Sequence, residues 1–69
     1  MDISKKIKLA IAYAGISEAE LSRRIGTSSQ AFGQRLKTGK FSTDELNTIA
    51  TALGANYYCG FKFEDGTDI

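Results

Sequence analysis

The sequence predicts a mainly α domain: four short helices over residues 3–54, then a C-terminal β-strand and hairpin. Three observations carry this. Apolar residues recur at helical spacing as far as Leu53. Short polar residues and glycines alternate along the same span as helix starts and stops. From Tyr57 the apolar period changes to two.

The first helix is expected from about Ile3 to Ala14, with Ile7, Ala10, Ile11 and Ala14 on one face and Gly15 after its end. Ser17-Glu18-Ala19-Glu20 fits a capping box that opens the second helix, in which Leu21, Ser22 and Ile25 face inward and Gly26 stops the run. A small residue at Ser22 lets another helix approach closely. The third helix starts at Thr27 or Ser28, both good N-caps, and reaches about Lys37, with Phe32 and Leu36 as its i, i+4 apolar pair. Ser42-Thr43-Asp44-Glu45 is a second capping box. It opens a fourth helix whose inner face is Leu46, Ile49, Ala50 and Leu53, closed by Gly54. In the tail, Tyr57, Cys59, Phe61 and Phe63 alternate with Tyr58, Gly60 and Lys62, which reads as a half-buried strand. Asp65-Gly66 is a hairpin turn, and Thr67 to Ile69 a short return.

Composition narrows the function classes. Sixty-nine residues make one domain with a small core. There is no histidine and a single cysteine, so neither an internal disulfide nor a usual zinc site can be built. Cys59 has no His to activate it and reads as a small hydrophobe rather than a nucleophile. No enzyme chemistry, cofactor, metal or small-molecule ligand is expected. No apolar run approaches the ~20 residues of a membrane span, and a soluble, cytoplasmic protein is expected.

The net charge of +1 hides a gradient. Residues 1–56 carry eight basic and five acidic side chains, whereas the tail sets Lys62 against Glu64, Asp65 and Asp68. Between Leu21 and Lys40 stand Arg23, Arg24, Arg35, Lys37 and Lys40 without any acid. The field is therefore locally positive around a third helix whose outer side is plain and polar. Two helices joined by a glycine turn also occur in bundles that meet no nucleic acid. Here the apolar, small, apolar, glycine, apolar order of Leu21, Ser22, Ile25, Gly26 and Phe32 favours a helix-turn-helix, with the third helix entering a major groove.

The stretch "ISEAELSRRIGTSSQAFGQRLKTGKFSTDELNTIATALG" resembles the Cro/cI-type (Xre-like) helix-turn-helix family of phage and bacterial repressors. It carries that family's L-small-x-x-hydrophobic-G-x-S pattern and its I-A-x-A-L-G ending. The resemblance spans residues 3–56 and implies the lambda-repressor-like fold, usually dimeric on a near-palindromic operator. It implies base-reading roles for Ser28, Ser29, Gln30 and Gln34. The chemistry agrees independently: Gln can bond bidentately to adenine N6/N7, and a Ser hydroxyl can pair with donors or acceptors. Gln30 also stands three residues after Thr27, so capping competes for it. Gly33 on the exposed side would let the helix sit deep in the groove. Phosphate contacts are expected from Lys37 and Lys40, then Arg24 and Arg35, and from the amide-rich helix start at Ser17. The chain departs from the family at Glu18, where many members have Gln, and at Arg35, where an apolar residue is expected. The second departure implies a longer or re-phased third helix.

Residues 1–56 are thus expected to be a helix-turn-helix DNA-binding domain, and 57–69 a dimerisation element. The tail strand either covers its own helices or pairs with its twin through Tyr57, Cys59, Phe61 and Phe63. A homodimer would set two recognition helices ~34 Å apart on duplex DNA. The expected function is a repressor or Cro-like transcription regulator reading a short inverted repeat in double-stranded DNA. The rival is a protein-binding helix-turn-helix module, antitoxin-like or anti-repressor, gripping its partner with the apolar tail.

Overall fold

Each helix begins on a short side chain that accepts a backbone amide otherwise left without a partner. In the computed structural model, which describes residues 2–67, Asp2 accepts from Lys5 N at 2.9 Å and Ser17 from Glu20 N at 3.0 Å. Ser28 accepts from Ala31 N and Ser42 from Glu45 N, both at 3.1 Å. These caps open α1 (Ile3–Ala14), α2 (Glu18–Ile25), α3 (Ser29–Thr38) and α4 (Thr43–Ala52). The described residues are mainly α, with four short helices. Among the described residues no helix is long and apolar enough to cross a membrane.

The turn that sets α3 against α2 depends on Gly26. Its φ of 79° lies in the left-handed region, where a side chain is unfavourable. The amides of Gly26 and Thr27 fold back onto the carbonyls of Arg23 and Ser22 at 3.2 and 3.0 Å, so α2 ends tightly. Ser28 then caps α3 at once, and a three-residue connection fixes the angle between the two helices.

The core is Ile7, Ile11, Leu21, Phe32, Leu36, Leu46 and Ile49, one stripe from each helix. Helix α2 packs against α1, α3 and α4, and its Leu21 is fully buried. Beside it Ser22 is also buried, with its hydroxyl donating to the Glu18 carbonyl at 2.8 Å. A buried hydroxyl without a partner would cost ~1–3 kcal/mol; this one has a partner within its own helix. Phe32 meets Phe41 edge-on, with ring centroids 6.5 Å apart. A serine joins the outer helices: Ser4 Oγ donates to the Leu36 carbonyl at 2.6 Å, tying α1 to the last turn of α3.

The structure corrects the sequence reading at three places. Ala10 and Ala14 are exposed, and the inner stripe of α1 runs instead through Ile3, Ile7 and Ile11. The flank bearing Ala10 opens onto a groove between α1, α4 and the segment carrying Leu53 and Tyr57. The capping box at Ser17 is half formed, because the Glu20 carboxylate is taken by arginines, whereas the box at Ser42 and Glu45 is complete. The expected strand from Tyr57 to Phe63 does not form among the described residues. Tyr57 packs on the core, but Cys59, Phe61 and Phe63 are exposed along with Tyr58, Gly60 and Lys62, so the alternation does not bury one face. A two-stranded ribbon is marginal without a third strand or a supporting surface, and the described tail shows only an isolated bridge at Lys62. The Asp65-Gly66 turn does form: Gly66 N donates to Phe63 O at 3.0 Å, and Phe63 N to Thr67 O at 2.6 Å. Asp68 and Ile69, the rest of the expected return, lie outside the described residues.

Candidate nucleic-acid interface

Helix α3 turns Phe32 and Leu36 into the core, and this rotation decides what its other side presents. Residues 30, 34 and 37 share the opposite stripe by helical spacing, and Gly33, half-buried, lies on its flank. Ser28, Ser29, Gln30 and Gln34 are all exposed. The Ser28 hydroxyl is engaged as the α3 N-cap, which leaves its outer lone pair for any external donor. With Ser28 as the cap, Gln30 is not a capping partner, and its amide stands in solvent with that of Gln34.

Gly33 is the unusual residue of this surface. It lies inside α3 with an ordinary helical φ, and a Cβ built on it would meet nothing within 4 Å. Glycine in a helix interior costs roughly 0.5–1 kcal/mol relative to alanine. No contact within the protein requires that cost.

The five basic residues between Leu21 and Lys40 divide sharply. Glu20 holds both Arg23, at 2.6 Å, and Arg24, at 2.8 Å. Arg24 also donates to the Ala52 carbonyl at 3.1 Å, bridging α2 to the end of α4. Arg35 pairs with Glu45, donates to the Lys40 carbonyl at 3.0 Å, and lies 5.3 Å from the Phe41 ring centroid. The apolar position that Arg35 occupies is thus filled by its stem and planar head against Phe41, while Leu36 takes the buried place. The carboxylates come from just outside the acid-free span, so Lys37 and Lys40 are the cations there without an ion pair among the described residues. Arg24 and Arg35 would have to share or exchange partners to bind a phosphate. At the start of α2, the Ser17 hydroxyl is occupied by the Glu20 amide, and Glu18 and Glu20 stand in the first turn.

Glu20 was legible in the sequence as a partner for Arg23 and Arg24, since i, i+3 and i, i+4 spacing brings opposite charges together on a helix. The hydrogen bonds from Arg23 and then Arg24 bring its pKa down to about 2. The Ser42 backbone amide, followed by Arg35, likewise holds the Glu45 carboxyl below its usual range. The sign follows from linkage. A carboxylate with a depressed folded-state pKa stabilises fully above its unfolded value, ~4.3, and that contribution is lost as pH falls through the folded value. Acid unfolding should therefore steepen between about pH 4.3 and 2. In Glu20→Gln the slope over that interval should flatten. NMR titration of the Glu20 side chain, with a midpoint near an ordinary 4.3, would contradict the double arginine contact.

No protein-family model, curated protein or solved structure matches the chain.

Proposed function

We propose that the protein is a sequence-specific DNA-binding transcription regulator, repressor-like or Cro-like, acting in the cytoplasm as a homodimer on a short inverted repeat. In this reading α2, the Gly26 turn and α3 act as a helix-turn-helix of the Cro/cI type, and α3 enters the major groove. Gly33 carries the reading. A helix-weakening residue with open space beyond it has no purpose within the fold, but it allows a base-pair edge to approach the backbone between Gln30 and Gln34. Lys37 and Lys40 beside this stripe would hold phosphates and fix the docking register.

Two experiments test this. Selection from a randomised duplex pool should enrich a short palindrome, and enrichment of no sequence at low salt would overturn the reading. Gly33→Ala separates folding from function. It should stabilise the domain by roughly 0.5–1 kcal/mol in thermal or urea unfolding, yet weaken binding to the selected site. A variant that is more stable and binds equally well would remove the main support.

The second reading, a protein-binding module, is favoured by the tail. Tyr58 and Phe61 are 89% and 71% exposed, more than a single chain needs for folding. A partner that protects these side chains from solvent while leaving α3 uncovered, together with failure of duplex selection, would favour it.

A further inference from the structure

Charge pairing follows residue type among the described residues. All three arginines are held by carboxylates, whereas none of the six lysines forms an ion pair among the described residues. An unpaired ammonium can take a phosphate without giving up an existing partner.

Two segments that carry these lysines meet at Ser4. The hydrogen bond from Ser4 Oγ to the Leu36 carbonyl fixes the N-terminal half of α1 against the end of α3. The same hydroxyl lies 3.6 Å from where a Cβ of Gly39 would stand, in the loop between Lys37 and Lys40. At ~100° per residue, Lys8 lies about 40° from Ser4 around α1, and Lys5 about 60° further on. Lys6 is on the other flank, about 160° from Ser4, where it lines the groove with Ala10, Leu53 and Tyr57. No acidic residue lies within α1. Asp2 precedes it, with its carboxylate accepting the Lys5 amide as the cap.

We infer that Lys5 and Lys8 continue the phosphate-binding surface of Lys37 and Lys40, so that one strand of a bound duplex runs from the loop after α3 onto α1. This rests on the DNA-binding reading and adds a contact surface to it. The partner is a polyanion of regular phosphate spacing, which successive lysines along an arc can follow.

The test is the salt dependence of binding by the full chain to a duplex selected by the wild-type protein. Each neutralised phosphate contributes a slope of ~0.9 in log K against log salt. The homodimer loses four such contacts in Lys5→Ala/Lys8→Ala, so between 50 and 200 mM salt wild-type affinity should fall about 150-fold more than that of the double variant. Lys37→Ala, which removes one contact from each protomer, should change the slope by about two units, and Lys6→Ala should leave it unchanged. Alanine keeps α1 helical, and circular dichroism checks this. A wild-type slope in the double variant, with a lower slope in Lys37→Ala, would overturn the extension to α1 and leave DNA binding standing. An equal loss from Lys6→Ala would also overturn it, because the effect would then follow net charge. No duplex binding by the folded wild-type chain would remove both.

Discussion

Phe32→Ala is expected to cost about 3–5 kcal/mol, against a total stability of roughly 3–10 kcal/mol for a chain of this length. The side chain is buried to within 2% and meets the Phe41 edge, while Phe41 in turn supports the Arg35 guanidinium. Removing it opens a cavity where α3 meets the rest of the core and leaves Arg35 and Glu45 without the surface that orients them. The space cannot close cheaply, because the three-residue connection from Gly26 to Ser28 holds α3 in place. Urea unfolding should show a midpoint near zero denaturant, with loss of helical signal at ambient temperature in a large fraction of molecules. Phe32→Leu, which keeps most of the volume, should retain the fold. A cost below about 1 kcal/mol for the alanine variant would mean that α3 is held by something other than this aromatic contact.

Gln34→Ala should give the second large effect, on recognition rather than folding. Gln34 is exposed, and no hydrogen bond within the protein would be lost, so the unfolding midpoint should not move. Binding to the selected duplex should weaken by about 1–3 kcal/mol, roughly 5- to 150-fold. The loss should be confined to the base pair that the amide reads: on duplexes already altered at that pair, wild type and variant should bind alike. Competition against a panel of single-base variants measures this. A uniform loss across the panel would mean that Gln34 contacts the backbone and the reading stripe lies elsewhere on α3.

The helix boundaries were legible because they are encoded within three or four residues. Ser17, Ser28 and Ser42 act as caps through the amide three positions on, and Gly15, Gly26 and Gly39 take left-handed conformations that other residues avoid. The exposed stripe of α3 was legible for a related reason: once Phe32 and Leu36 point inward, helical geometry places Gln30 and Gln34 outward. The roles of the arginines were less legible. The pairing of Arg35 with Glu45 and the reach of Arg24 to Ala52 depend on tertiary packing of α3 and α2 against α4, which no local pattern encodes. Ala10 and Ala14 misled because alanine fits a helix face whether or not anything covers it. The tail misled because alternation specifies which residues would share a face of a strand, but a strand also needs a neighbour to pair with.

That tail has a practical consequence for handling the protein. Phe61 and Phe63 stand in water next to Glu64 and Asp65, on a chain whose pI of about 7.8 lies close to neutral pH. Proteins near zero net charge have little long-range repulsion to keep them dispersed, so these two carboxylates act as gatekeepers against sticking of the aromatic rings. The Thr67 hydroxyl and amide keep the Asp65 carboxyl below its usual range, so it stays ionised well into mild acid.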